Sequence, residues 1–171
     1  MTPTAWKNGG AGVTIRYTIA QTTLGLMLVA ATDKGICRLS FGEDESELRR
    51  RFPNAQIEHG GDKLKQWADG AIAAVENPRM MPELPLDVAG TAFQEAVWQQ
   101  LRLIPAGETR SYSEIAAAAG NPKAVRAAGS ANGANNVAVL IPCHRVIRSD
   151  GSPGGYAYGL EIKQALLDRE R

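Results

Sequence analysis

Only two of the 171 residues are cysteine, and that scarcity removes several possibilities at once. A secreted scaffold stapled by disulfides carries more. Cys37, His59, Cys143 and His144 are too scattered for a zinc site, so neither a metal nor a cofactor is expected. Long apolar runs are missing too: Val137 to Ile141 falls far short of the roughly 20 residues a spanning helix needs, and no membrane partner is expected. The opening Met1-Thr2-Pro3-Thr4-Ala5-Trp6 lacks the basic-then-apolar layout of a secretory signal, which points to a reducing cytoplasm, or to the nucleus in a eukaryote. Charge of one sign does not dominate either, since 19 basic and 18 acidic residues leave a net +1. Its distribution is uneven. From Arg110 to Arg148 five basic residues (Arg110, Lys123, Arg126, Arg145, Arg148) face a single acid, Glu114, whereas residues 1–109 hold 11 basic and 13 acidic side chains. Such a stretch can meet phosphates and release counterions. By charge alone, a mixed solvated surface is the commoner explanation.

What is present, 44% hydrophobic residues in 18.3 kDa, supplies a core for one ordinary domain or two small ones. Residues 13–19 and 35–41 alternate and 24–30 is an apolar run, which predicts a small antiparallel meander. Helices are expected near 45–51 and over 62–75, where Leu64, Trp67, Ala68, Ala71, Ile72 and Val75 share a face. Three prolines in residues 77–85 mark a linker, dividing the chain into 1–85 and 86–171. Beyond it the pattern is helical. Thr91 with Gln94 and Ser111 with Glu114 are capping boxes, and Pro105-Ala106-Gly107 stops the first of these helices. Asn121 and Pro122 suit the N-cap and first position of a further helix running to about Ala131. The pair fits a helix-turn-helix and an ordinary helical corner alike. Ala124, Ala127, Ala128, Gly129, Ser130 and Ala131 leave the second helix almost without bulk, suited either to close approach of another surface or to helix packing, with Arg126 its one long cation.

The apolar run 137–141 leads into Pro142-Cys143-His144-Arg145-Val146-Ile147-Arg148. Positive neighbours favour the thiolate, the reactive form, although a lone cysteine is also a small buried hydrophobe. Consecutive side chains on extended backbone point apart, so His144 needs a bend or a bridging water to serve Cys143. A base is commonly oriented by a third group. Glu170, on a final helix with Ile162, Leu166 and Leu167 inward, can supply it or stand as a solvated terminal acid.

Ile141-Pro142-Cys143-His144-Arg145-Val146 resembles the active-site signature of the O6-alkylguanine-DNA alkyltransferases. Residues 105–109, Ser111-Tyr112, 120–127, Gly155-Tyr156 and Gly159-Leu160 follow in that family's order and spacing. Gly9-Gly10 ahead of Arg16-Tyr17 is most similar to its bacterial adaptive-response branch, whose zinc-bound amino-terminal half has no counterpart here. The resemblance implies an α+β fold: a ribonuclease-H-like amino-terminal support with a small antiparallel sheet, then a mostly helical, winged helix-turn-helix-like domain. It further implies a single-turnover methylated-DNA–protein-cysteine methyltransferase. Cys143 would accept the alkyl group, His144 would deprotonate it through water, Glu170 would orient His144, and Asn135 would link the helix-turn-helix to the active-site strand. Arg126 would fill the gap left by a flipped nucleotide, and Tyr112 would help rotate the phosphate. Ala124, Ala127 and Gly129, with Lys123 and Arg145, would complete the DNA surface. Val146, Tyr156 and Tyr158 would wall the pocket, Tyr156 facing guanine N3. The partner implied is double-stranded DNA carrying O6-alkylguanine, or less favourably O4-methylthymine, bound by a monomer through the minor groove with little regard to sequence.

Two positions depart from the human-type pattern: Tyr158 stands for glycine and Ala138 for proline. Tyr158 is therefore expected to narrow the pocket. Three rival functions stand beside this one, and the first, a damage sensor of the alkyltransferase-like type, would lack the acceptor cysteine that Cys143 supplies. A sequence-reading regulator would need polar base-reading side chains where the second helix has alanine, and a Cys-His hydrolase would turn over repeatedly.

Overall fold

The structure, a computed structural model, describes all 171 residues. The chain packs as two units. One comprises residues 1–76 and 80–89, the other 77–79 and 90–171.

In the first unit, helix α1 (Pro3–Lys7) starts at Thr2, whose side chain accepts from Ala5 N. Strands β1 (Thr14–Thr22), β2 (Gly25–Ala31) and β3 (Ile36–Phe41) form the expected antiparallel meander. The sheet is nonetheless mixed rather than antiparallel. Helix α2 (Glu45–Arg51) is followed by β4 (Gln56–His59), which pairs parallel with β1 to give the order β3-β2-β1-β4. Four residues of β4 are too few to show a period of two, and a parallel partner distant in sequence leaves no local signal. Helix α3 (Asp62–Glu76) buries Leu64, Ala68, Ala71 and Val75, and Glu76 accepts from Thr23 N and Oγ1 in the β1–β2 turn. Ile15, Leu28, Ala30, Cys37, Leu48 and Phe52 form a core cluster. Cys37 belongs to that core: burial pushes its thiol up to about 12, leaving it unreactive at neutral pH.

Every residue of β3 is buried, so its alternation does not mark a solvated face. Arg38 instead pairs with both carboxylate oxygens of Glu43, at 2.8 and 2.9 Å from Nη2. The proline-rich segment is also more structured than a tether. Ile36 donates to Pro85 O and Asp87 N donates to Ile36 O, both at 2.8 Å, laying Leu86 parallel beside β3. A Cβ at Gly35 would stand 2.6 Å from the Pro85 carbonyl, so this approach requires glycine.

In the second unit, helix α4 (Ala92–Arg102) has both halves of its capping box and buries Val97, Trp98 and Leu101. Strand β5 (Arg110–Ser111) precedes α5 (Tyr112–Ala118), which also has a complete capping box. Helix α6 spans Val125–Gly133, starting later and ending later than the sequence predicts. Asn121 is not its N-cap: the Asn121 side chain accepts from Lys123 N, closing a turn of its own, and Ala124 enters α6 without a side-chain cap. Trp98 Nε1 donates to Ala131 O at 2.9 Å, fixing α4 to α6. A 3₁₀ turn at Cys143–Arg145, strand β6 (Val146–Ile147, parallel to β5) and helix α7 (Leu160–Arg169) complete the unit.

Gly35→Ala should lower stability by about 1–3 kcal/mol by driving β3 and Pro85 apart. Urea unfolding followed by circular dichroism measures it, and an unchanged midpoint would show that the contact relaxes at no cost.

Candidate functional site

The segment before Cys143 is apolar and buried, but it is not a strand. Leu140 N donates to Ala138 O at 2.8 Å across Val139, which is held at φ 70. Cys143 N donates to Ile141 O at 2.7 Å across Pro142, at φ −79 and ψ 66. These are two consecutive tight turns of opposite hand, the first in a conformation that a β-branched residue rarely adopts. Asn135 holds them in place. Its Nδ2 donates to Ile141 O at 2.8 Å and its Oδ1 accepts from Val137 N at 3.0 Å. Asn135 also favours the Cys143 thiolate. Asn132, not singled out from the sequence, donates from Nδ2 to Cys143 O at 3.3 Å.

The backbone bends at His144 in the 3₁₀ turn, where the residue is wholly buried. His144 Nε2 lies 2.6 Å from Glu170 Oε1. Glu170 is also fully buried, not a solvated terminal acid. Burial alone would push its carboxyl up, but hydrogen bonds from His144 and Arg145 outweigh that and hold it below the ordinary range. The ionised carboxylate can only accept, so Nε2 carries the His144 proton and Nδ1 is left as the acceptor. Burial also lowers the His144 pKa, against the pull of Glu170, and keeps the ring neutral at pH 7. Nδ1 is buried without a protein partner.

Arg145 corrects one expectation. It is 4% exposed, its guanidinium reaches Glu170 at 2.7–3.1 Å, and Nη1 donates to Ile104 O at 2.7 Å. It therefore braces the carboxylate and is not available to DNA. Val146 is corrected likewise: fully buried, it lies behind the cavity and not in its wall, and its carbonyl accepts from Lys163 Nζ at 2.7 Å.

Cys143 is 6% exposed at a cavity of about 800 Å³. Tyr112, Tyr156 and Tyr158 wall it together with Arg126, Gly129 and Arg148. Tyr156 and Tyr158 meet edge to face at 5.5 Å. Tyr112 needs room that only glycine leaves, since a Cβ on Gly154 would stand 2.8 Å from its hydroxyl. Burial raises the pKa of both Tyr112 and Tyr156, and the charge of Cys143 adds to it. Lys123, Arg126 and Ala127 are exposed on the turn and on α6, while Ala124 and Gly129 are half-buried. Gly129 lies against Tyr112, whose ring would be 3.8 Å from an added Cβ.

Burial also pushes the Cys143 thiol up, partly offset by Asn135 and the charge of Lys163. The sequence neighbours His144 and Arg145 do not supply that charge: one is neutral and the other is paired with Glu170. Lys163 was visible in one respect, because it lies three and seven residues before Leu166 and Glu170, on the buried stripe of α7.

The domain model for the 6-O-methylguanine DNA methyltransferase ribonuclease-like domain matches residues 15–88, and that for its DNA-binding domain matches 92–171. The inducible methylated-DNA–protein-cysteine methyltransferase of Bacillus subtilis is 43% identical over 91% of this chain and 84% of its own length. The bifunctional transcriptional activator/DNA repair enzyme Ada of Escherichia coli is 45% identical over 99% of the chain, and the chain spans about half the length of this relative. Among solved structures, Mycobacterium tuberculosis OGT in complex with DNA aligns over 92% of each chain with a TM-score of 0.75 and 35% identity. Fold, residues and relatives agree: the chain belongs to the 6-O-methylguanine DNA methyltransferase family of methylated-DNA–protein-cysteine methyltransferases.

Proposed function

We propose that this chain repairs DNA directly, moving an alkyl group from guanine O6, and less readily from O4 of thymine, onto its own Cys143. The observation that carries the reading is the buried Cys143, His144 and Glu170 set at the wall of an open 800 Å³ cavity, beside the bare exposed side of α6.

Because the resting thiol is neutral, it needs a base. Its proton passes through water to His144 Nδ1, while Nε2–H to Glu170 stabilises the imidazolium that forms. Sγ then attacks the alkyl carbon, an S–C bond forms as O6–C breaks, and the electron pair leaves on O6 of guanine. The base recovers a proton at its ring as it departs, with Tyr112 and Tyr156 at hand. The thioether offers water no leaving group, so each molecule acts once.

A base inside the stack cannot reach Cys143, so the nucleotide must flip into the cavity at a cost of a few kcal/mol. Arg126, exposed on α6, can stack in the gap it leaves. Alanine and glycine along α6 permit close entry into the minor groove, while Lys123 and Arg148 meet phosphate without reading sequence. All these groups come from one unit, so a monomer suffices. The first unit serves as structural support, and it extends past the expected boundary at 85 to residue 89, while residues 90–171 carry the chemistry. A nucleophile that must stay a thiol suits the cytoplasm, where thiols remain reduced.

Incubation with a duplex containing O6-methylguanine should add one methyl, about 14 Da by intact mass, to the wild type and nothing to Cys143→Ala. Methyl release in excess of protein would point instead to a hydrolase. Glu170→Gln should slow transfer about 10²–10⁴-fold and, by leaving Arg145 buried without its carboxylate, lower stability by about 3–5 kcal/mol. Since the folded pKa of Glu170 lies below the unfolded one, its stabilisation is complete above the unfolded value of about 4.3 and fades as pH falls through the folded value. An acid titration of unfolding should therefore be shallower in Glu170→Gln. Tyr158→Gly should speed inactivation by O6-benzylguanine about tenfold or more, as the ring packed on Tyr156 is removed. Equal rates would show that Tyr158 does not limit the pocket.

A further inference from the structure

Four buried side-chain atoms have no hydrogen-bond partner: Ser40 Oγ, Asn132 Oδ1, His144 Nδ1 and Tyr156 Oη. Ser40 belongs to the first unit, His144 Nδ1 takes the thiol proton in the proposed transfer, and the Tyr156 hydroxyl can either give or accept. Asn132 Oδ1 can only accept, and no group of the chain donates to it. An unpaired buried acceptor is costly and calls for a partner. Asn132 stands on the last turn of α6 at 6% exposure and lines the cavity of about 800 Å³ together with Cys143, on the side of the helix that also brings Val125 and Gly129 there. Its orientation is fixed. Nδ2 donates to Cys143 O at 3.3 Å, and because a carbonyl only accepts, the nitrogen must face the cysteine and the oxygen is left over.

The bases that carry O-alkyl groups are short of donors. Alkylation at O6 removes the N1 proton of guanine, so N1, N3 and N7 all accept and the exocyclic N2 amine is the one donor left on the base. O4-methylthymine has lost its N3 proton in the same way and has no donor at all. We infer that Asn132 is a specificity-determining residue: its Oδ1 accepts from the N2 amine of the flipped O6-alkylguanine, and the site thereby favours guanine over O4-alkylated thymine. The inference rests on the proposed transfer to Cys143 and deepens it by naming the side chain that reads the base. The amine exchanges water for a protein acceptor, and Oδ1 gains the partner that the chain does not provide. A base without the amine leaves Oδ1 unpaired in the filled site, which is how a site built to hydrogen-bond a group rejects an analogue lacking it. Because the same amide is tied to Cys143 O, it also fixes the amine relative to the sulfur.

The test is a cycle of two proteins and two duplexes. Single-turnover methyl transfer to Cys143 is timed by intact mass from O6-methylguanine and from O6-methylhypoxanthine, which lacks only the amine. The wild type should favour O6-methylguanine by about tenfold or more, and Asn132→Leu, which keeps the volume and loses the acceptor, should lose about tenfold of that preference. The same variant should narrow the gap between O6-methylguanine and O4-methylthymine. A merely structural role would slow both duplexes equally, so a preference unchanged in Asn132→Leu overturns the inference. Equal rates from the two duplexes in the wild type overturn it as well. Should Asn132→Leu fail to fold, Cys143→Ala decides, since it keeps the backbone carbonyl and has no sulfur to react. Its Asn132 ¹³Cγ resonance should move downfield on binding the O6-methylguanine duplex and less on binding the O6-methylhypoxanthine duplex, and identical shifts overturn the inference. A wild type that gains no methyl from O6-methylguanine would instead sink the transfer reading, whereas a methyl gained without the preference sinks only the role of Asn132.

Discussion

The Glu170 carboxylate, wholly removed from water, is the interaction on which the rest of the site depends. An isolated buried carboxylate would take up a proton, and a neutral acid would orient His144 poorly. Arg145 prevents this by meeting both oxygens. Arg145 itself is steadied by the carbonyl of Ile104, past the end of α4. One ion pair thus ties the end of α7, the cysteine turn and the exit of α4 together. It also selects the tautomer that leaves His144 Nδ1 free to accept a proton. The function of the triad is inseparable from its role in holding the second unit together.

Around that pair, the backbone is held by side-chain amides and an ammonium in place of secondary structure. Two tight turns replace the strand implied by family resemblance, with Val139 in a left-handed conformation. A strand there would send Cys143 and His144 to opposite faces. The turns and the 3₁₀ winding instead place the imidazole against Glu170 while the thiol faces the cavity. Asn135, Asn132 and Lys163 bind the carbonyls that such a path leaves without ladder partners. Strain and polar burial are concentrated where the chemistry occurs.

Much of the frame was legible beforehand. Both capping boxes, the meander and the four helices α2, α3, α4 and α5 follow from short-range rules, and each lies at or within a few residues of its expected position. The pairing of β4 with β1, the docking of Leu86 on β3 and the late start of α6 were not, because each depends on a partner or on a competing turn. Residue type also misled in two cases. Arg145 reads as a DNA contact and is an internal brace, and Val146 reads as a pocket wall and lies behind it.

The sequence by itself pointed to the family and to the proposed nucleophile and base, because Pro142-Cys143-His144-Arg145 is a local arrangement of chemistry that needs no folding to be read. Tertiary structure alone decided how those residues are charged. Burial raises the thiol, Glu170 absorbs Arg145, and the cation left to the sulfur is Lys163, 20 positions away. A charge acts through space and through the water excluded around it, and neither distance nor desolvation is written in the order of residues.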